Sequence, residues 1–169
     1  GRLGSIILSG PPGTGKTTLA HLLAIETGSE LRTLSAVSSG VKDVREVLAW
    51  ATDIIASGGT RPLLFIDEIH RFSKSQQDAL LPDVEAGIVS LIGATTSNPH
   101  FAVNGALLSR SQLFQLESLK PEDIRCLLQR ALTDHERGLG QYNPRVDESA
   151  IEYLSSASEG DARRALSAL

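Results

Sequence analysis

The stretch Ile6-Ile7-Leu8-Ser9-Gly10-Pro11-Pro12-Gly13-Thr14-Gly15-Lys16-Thr17-Thr18-Leu19 decides the architecture. Ile6–Leu8 is an apolar run of strand length, and it stops at a glycine- and proline-rich turn. From Leu19 to Ile25 the apolar residues recur at helical spacing, and Gly28 closes that helix. Between strand and helix, Gly10–Thr17 fits G-x-x-x-x-G-K-[ST] in full. Glycines there let backbone N–H groups turn inward around phosphate oxygens, where side chains would block the approach. The helix behind them aims its N-terminal partial positive charge at the same place. Lys16 adds a full charge for the β- and γ-phosphates, and Thr17 offers a hydroxyl to Mg²⁺. Pro11, Pro12, Thr14 and Thr18 fill out the candidate nucleotide-binding segment. A glycine-rich turn with an incidental lysine would lack the strand before it and the helix behind it.

Working outward, Leu31–Leu34, Leu63–Ile66, Ile88–Ile92 and, more weakly, Leu113–Leu116 read as further strands. Continuous apolar runs of this length suit strands buried on both faces. Val41, Val44, Val47 and Leu48 mark a helix that should end at Ser57-Gly58-Gly59. Strands alternating with helices imply an α/β fold, a parallel sheet flanked by helices, through about residue 117. Leu63–Ile66 delivers Asp67 and Glu68 at its carboxyl end, beside the phosphate loop of a parallel sheet. Asp67 is expected to hold Mg²⁺ through water, and Glu68 to polarise the water that attacks the γ-phosphate. Adjacent strand residues face opposite ways, which allows the two acids separate roles. An Asp followed by Glu favours hydrolysis over nucleotide sensing alone.

Beyond Leu116 the character changes. Ser118 reads as an N-cap with Pro121, Glu122 and Asp123 behind it, and helices are expected near 121–133, 147–157 and 160–169. Asp134–Arg145 reads as a loop. The expected organisation is a nucleotide-binding core over 1–117 and a small all-helical lid over 118–169.

The 169 residues are 41% apolar and carry a net charge of −4, which excludes a small basic module gripping nucleic acid through bulk charge. One cysteine, Cys126, excludes an internal disulfide framework, and four scattered histidines give no zinc spacing. No apolar run approaches the roughly 18–20 residues of a membrane helix. Cys126 is expected to pack within its helix, Trp50 to be core, and His70 to be structural, with no metal role. The absence of Met hints at a piece of a longer protein.

At this point the chain resembles the AAA+ ATPases. Gly10–Thr17 and Asp67-Glu68 resemble the two nucleotide motifs, and Leu91-Ile92-Gly93-Ala94-Thr95-Thr96 the sensor 1 strand. Ala106-Leu107-Leu108-Ser109-Arg110 resembles the arginine-finger segment, and Gly160-Asp161-Ala162-Arg163-Arg164-Ala165-Leu166 the sensor 2 helix. Asp67-Glu68-Ile69-His70-Arg71-Phe72, then Lys74 to Pro82, Gly93–Thr96 and Asn98-Pro99, resemble the MgsA/RarA group and the Werner-helicase-interacting ATPases. The likeness runs over essentially the whole chain. Departures are Ser9 for the group's usual Trp, Ser73 for Asn, Asp83 for His and Ser97 for Glu.

The resemblance implies an oligomeric Mg²⁺-dependent ATPase acting on DNA at stalled forks or recombination intermediates, in the bacterial cytoplasm and nucleoid. It assigns Thr96, with Thr95 as competitor, to orient the lytic water or contact the γ-phosphate. Arg110 becomes a finger acting in trans, and Arg163, with Arg164 as fallback, a cis contact to the γ-phosphate. DNA ends, forks and single-/double-strand junctions, single-strand-binding protein and a homotetramer are the implied partners, with no membrane. Rival readings are a clamp-loader-type subunit or Holliday-junction motor, and a nucleotide-dependent assembly scaffold with little turnover. By the same resemblance, an adenine-enclosing segment before Gly1 and an oligomerising region beyond Leu169 are missing. The isolated chain is therefore expected to be monomeric, to bind ATP weakly and to hydrolyse it poorly.

Overall fold

The computed structural model describes residues 3–169. They form two compact units, one comprising the chain up to Gly10 with Lys16–Gln115, the other Pro11–Gly15 with Leu116–Leu169.

The first unit is built on a five-stranded sheet: β1 (Ser5–Ser9), β2 (Leu31–Ser35), β3 (Leu63–Asp67), β4 (Ser90–Thr95) and β5 (Ser111–Gln115). The order is β2-β3-β4-β1-β5, and every adjacent pair is parallel. Parallel neighbours need crossovers, supplied by α1 (Lys16–Thr27), α2 (Val41–Ala56) and the short helices α3 (Lys74–Asp78), α4 (Leu81–Glu85), α5 (Pro99–Ala102) and α6 (Gly105–Leu108). All five residues of β1 and all six of β4 are buried. That is the signature of central strands covered on both faces. One face packs Ile7, Leu64, Ile66 and Leu91 against Val44, Leu48 and Ala51 of α2. Ile6, Leu8, Phe65, Ile92 and Ala94 alternate to the other face and are equally buried.

β4 begins two residues later than the sequence reading and continues to Thr95, beyond its apolar run. Gly93 is needed there: a Cβ would lie 2.7 Å from Ile7 Cδ1 and 3.1 Å from Ile69 Cδ1. β5 begins at Ser111, earlier than expected, and is exposed along most of its length.

In the second unit α7 (Pro121–Thr133), α8 (Glu148–Ala157) and α9 (Ala162–Ser167) bury Ile124, Leu128, Ile151 and Ala165 together. Its only described elements are helical. The cap of α7 is Lys120, not Ser118: its backbone N–H donates to Asp123 Oδ2 at 3.0 Å, with Pro121 opening the helix. α9 ends at Ser167, short of the expected Leu169. Cys126 is exposed, contrary to expectation. Ile124 and Leu128 are one helical turn apart and form the buried stripe, whereas Cys126 lies off it. Within the expected loop 134–145, backbone N–H groups of Arg137 and Glu136 hold the Asp134 carboxyl below its ordinary range. Among the described residues no helix is long and apolar enough to cross a membrane.

Candidate functional site

In a parallel sheet all carboxyl ends lie at one edge, and the register fixes which residues meet there. Ser9 is level with Thr95 on one side and Gln115 on the other, Ile66 with Gly93, and Asp67 with Ser35. Gly10 donates its N–H to Thr95 O at 3.1 Å, so the start of the glycine loop is bonded to the end of β4. Lys16 is the first residue of α1, is buried, and donates from Nζ to Gly10 O at 2.8 Å. Thr17 is half-buried and Thr18 exposed in the same first turn.

The loop has the conformation its glycines permit. Gly13 and Gly15 adopt φ of 70° and 88°, where other residues are strained. A Cβ on Gly15 would meet nothing within 4 Å, which leaves the backbone open to an approaching group. Pro11 and Pro12 are exposed, and Thr14 Oγ1 closes the turn by donating to Pro11 O at 2.9 Å. Within the second unit, Ala162 N–H donates to Gly13 O at 3.3 Å, joining the loop to the start of α9. Asp161 caps that helix by accepting from the N–H groups of Arg163 and Arg164 at 2.9 and 3.1 Å. Both arginines are exposed, and Arg164 pairs with Glu159 at 3.5 Å.

Asp67 ends β3, and its Oδ1 accepts from Glu68 N–H at 3.1 Å. Glu68 is already off the strand. Its backbone is left-handed, φ 55° and ψ 42°, and it precedes a 3₁₀ turn over Ile69–Arg71. The two acids are therefore separated by a backbone reversal, not by strand alternation as the sequence suggested. A bulky residue held in this conformation is locally strained, and such strain gathers at functional sites. Thr96 is exposed and donates from Oγ1 to Glu68 Oε2 at 3.4 Å. Thr95 is fully buried. Its hydroxyl accepts from Ser97 N–H at 3.0 Å and meets His70 Nδ1 at 2.9 Å. His70 Nε2 lies 3.2 Å from Glu68 Oε2. Sequence reasoning missed this role for His70, because the contact depends on β4 lying beside β3.

Arg110 stands apart from this group. It is exposed, donates to Ala106 O at 2.9 Å and Ser109 Oγ at 3.0 Å, and pairs with Glu85 at 2.6 Å. Two of the departures are physically mild. Ser73 caps α3 in a reciprocal box with Gln76, a position where Ser and Asn serve equally. Asp83 sits in the first turn of α4, favourable to its charge. Trp50 is half-buried and packs against the core cluster at its edge, with the Arg32 guanidinium 4.9 Å from its ring centroid.

The donor set fits nucleotide and metal. The glycine cradle and the Lys16 ammonium suit phosphate oxygens. Thr17 and Asp67 offer hard oxygen ligands of the kind Mg²⁺ takes when substrate phosphates complete its shell. Among the described residues no group of three or more His, Cys, Asp or Glu is placed to hold a metal ion.

Comparison with known proteins follows the same lines. The sequence matches the family described as ATPase family associated with various cellular activities (AAA) over residues 6–119. It is 47% identical over its whole length to the replication-associated recombination protein A of Escherichia coli K12, covering 38% of that protein. It is 48% identical over 167 residues to the ATPase WRNIP1 of Dictyostelium discoideum, covering 99% of this chain and 19% of that one. Among solved structures, the Thermotoga maritima RuvB Holliday junction branch migration motor superposes with a TM-score of 0.75 at 28% identity. That superposition covers 98% of this chain and 52% of RuvB. The chain thus spans well under half the length of the recombination protein it matches.

Proposed function

The chain belongs to the AAA ATPase family, and on that premise we propose that it is the ATP-hydrolysing part of an oligomeric, DNA-directed Mg²⁺-dependent ATPase. One observation carries the reading: Glu68 is held off the end of β3, at the sheet edge where Gly10 and Lys16 also lie, with its carboxylate engaged by Thr96. A carboxylate so placed can take a proton from water.

In this reading the backbone of Gly10–Gly15 and the Lys16 ammonium bind the β- and γ-phosphates. Thr17 and Asp67 would hold Mg²⁺, which supplies charge neutralisation to the phosphate oxygens when bound. Glu68 accepts a proton from the attacking water as its oxygen bonds to phosphorus and the bond to the ADP oxygen breaks. Thr96 fixes Glu68 and orients that water. Arg110 reaches the γ-phosphate of a neighbouring subunit, and Arg163 serves the same phosphate within the subunit. Phosphoryl transfer needs little covalent help from protein, so positioning and charge carry the catalysis. The same proposal keeps residues 1–117 as the nucleotide-binding core and 118–169 as a small helical lid.

The names of the relatives support DNA forks and recombination intermediates as the setting, and the RuvB likeness supports branched DNA as a substrate class. A homotetramer, contact with single-strand-binding protein and a nucleoid location belong to the same proposal. The test is Glu68→Gln in the full-length protein. ATP should still bind within about twofold of wild type, while turnover falls by about 10²-fold or more. A mutant that still hydrolyses ATP normally removes Glu68 as the base. One that is inactive in hydrolysis yet active on forks turns the reading into an assembly scaffold. ATPase stimulation by forked DNA, DNA ends and four-way junctions separates fork from junction substrates.

A further inference from the structure

We infer that His70 is the positioning residue for Glu68, fixing one carboxylate oxygen through a directed chain of hydrogen bonds that starts at the backbone beyond β4. The inference rests on Glu68 being the base proposed above.

The chain can be followed atom by atom. Ser97 N–H donates to Thr95 Oγ1 at 3.0 Å, Thr95 Oγ1 lies 2.9 Å from His70 Nδ1, and His70 Nε2 lies 3.2 Å from Glu68 Oε2. An ionised carboxylate only accepts, so the proton between His70 and Glu68 belongs to Nε2. With a neutral imidazole Nδ1 is then an acceptor, and the Thr95 hydroxyl, which has Ser97 O at 3.4 Å and His70 Nδ1 at 2.9 Å, donates to the nearer of the two. Thr95 can do so because its other requirement, an incoming donor, is met by Ser97. Thr95 Oγ1 accepts at one side and donates at the other, so the run points towards Glu68.

Geometry makes the arrangement stiff where stiffness matters. Thr95 is fully buried at the end of β4. The His70 side chain is 18% exposed and that of Glu68 28%, so neither swings freely in water. His70 belongs to the 3₁₀ turn that directly follows the left-handed Glu68. Its anchor, Thr95, is on the strand that bonds Gly10 at the root of the phosphate loop. The base is thereby indexed to the same strand end as the loop. Both described donors to Glu68, His70 Nε2 and Thr96 Oγ1, fall on Oε2. In the proposed reaction Oε1 is then the oxygen that takes the proton of the attacking water. A base misplaced by about 1 Å can lose about 10²-fold in rate, which is the scale of effect a positioning residue controls.

The test uses the full-length protein. Removing a side chain that holds a reacting group in place costs about 10–100-fold, so His70→Ala should lower kcat by that factor. KM for ATP and the affinity for a non-hydrolysable analogue should stay within about twofold of wild type. His70→Gln, whose side-chain amide can donate to Glu68, should recover most of the loss, and His70→Leu should not. Equal kcat losses in all three, in step with lost thermal stability, would mean a structural role and overturn the inference. A second readout does not depend on turnover: histidine-selective ¹⁵N solid-state NMR of the protein without nucleotide, in mildly alkaline buffer. The His70 signal, assigned by its absence in His70→Gln, should show a protonated Nε2 and an unprotonated Nδ1. The opposite tautomer, or an even mixture, would break the chain at Thr95 and overturn the inference. If Glu68→Gln itself leaves turnover intact, the base assignment fails regardless of His70. If Glu68→Gln is inactive while His70→Ala is normal, the base stands and the positioning role alone is lost.

Discussion

An added methyl group would meet different surroundings at the two positive-φ glycines of the phosphate loop, Gly13 and Gly15. Gly15 has a positive φ but open surroundings, so Gly15→Ala carries only the conformational cost, about 1–2 kcal/mol for a left-handed L-residue. Gly13 has the same backbone problem and a second one: its Cβ would collide with the Asp161 carboxylate. That carboxylate is the cap of α9, and losing a cap costs about 1 kcal/mol more. Gly13→Ala should therefore destabilise the protein more than Gly15→Ala in denaturant unfolding, by about 1 kcal/mol. Both should weaken ATP-analogue binding in a fluorescence titration. Equal unfolding midpoints would show that the loop does not lean on Asp161. The glycine–lysine motif was legible because it depends on local backbone rules, the φ each residue tolerates and the helix that follows. Glu68 and His70 were only half legible. Their identities and order are in the sequence, but a left-handed turn after Asp67 is set by tertiary closure, and the His70–Thr95 bond joins residues 25 positions apart.

At the scale of elements, the strands and long helices follow from periodicity, whereas the segments between β3 and β5 do not. α3, α4, α5 and α6 are four or five residues each, too short for a 3.6-residue pattern to declare itself. Their own caps and one buried amide order them. Gln77 is 3% exposed and donates from Nε2 to Phe72 O at 3.1 Å and Ala102 O at 3.3 Å. Its Oε1 accepts from Asn104 N–H at 2.7 Å. It thus ties the turn carrying His70 to the segment that leads into Arg110. Gln77→Leu keeps the bulk but strands those backbone groups. Buried unsatisfied polar groups cost about 1–3 kcal/mol each, so a loss of about 3 kcal/mol is expected by denaturant unfolding. Hydrogen exchange should speed up locally at residues 69–72 and 102–104. A change below about 0.5 kcal/mol would mean the cross-link carries no weight. Cys126 teaches the same lesson on a helix: its apolar sequence neighbours suggested burial, but the helical face decides, and Ile124 and Leu128 own that face.

For the whole molecule the question is whether one subunit is enough. Arg110 spends its guanidinium on Ala106, Ser109 and Glu85, all within its own unit and none of them among the groups around Glu68. Its partner Glu85 is 48% exposed, so the pair is worth little in water and can exchange for a stronger anion. A γ-phosphate offered by an adjoining subunit is such an anion, with bidentate geometry suited to arginine. Complementation in the full-length protein tests this. Arg110→Ala and Glu68→Gln should each abolish most turnover when alone. Mixed, they should regain part of it, because a subunit with an intact Glu68 can then receive Arg110 from a neighbour that lacks only the base. With random mixing and one donor interface per site, about a quarter of all sites unite both groups, so recovery to roughly a quarter of wild type is the ceiling. Recovery must also fall on dilution, since it needs assembly. Mixtures no more active than their parents, under conditions where the subunits are shown to exchange, would place Arg110 outside the reaction. Full activity of Arg110→Ala alone would do the same without any mixing.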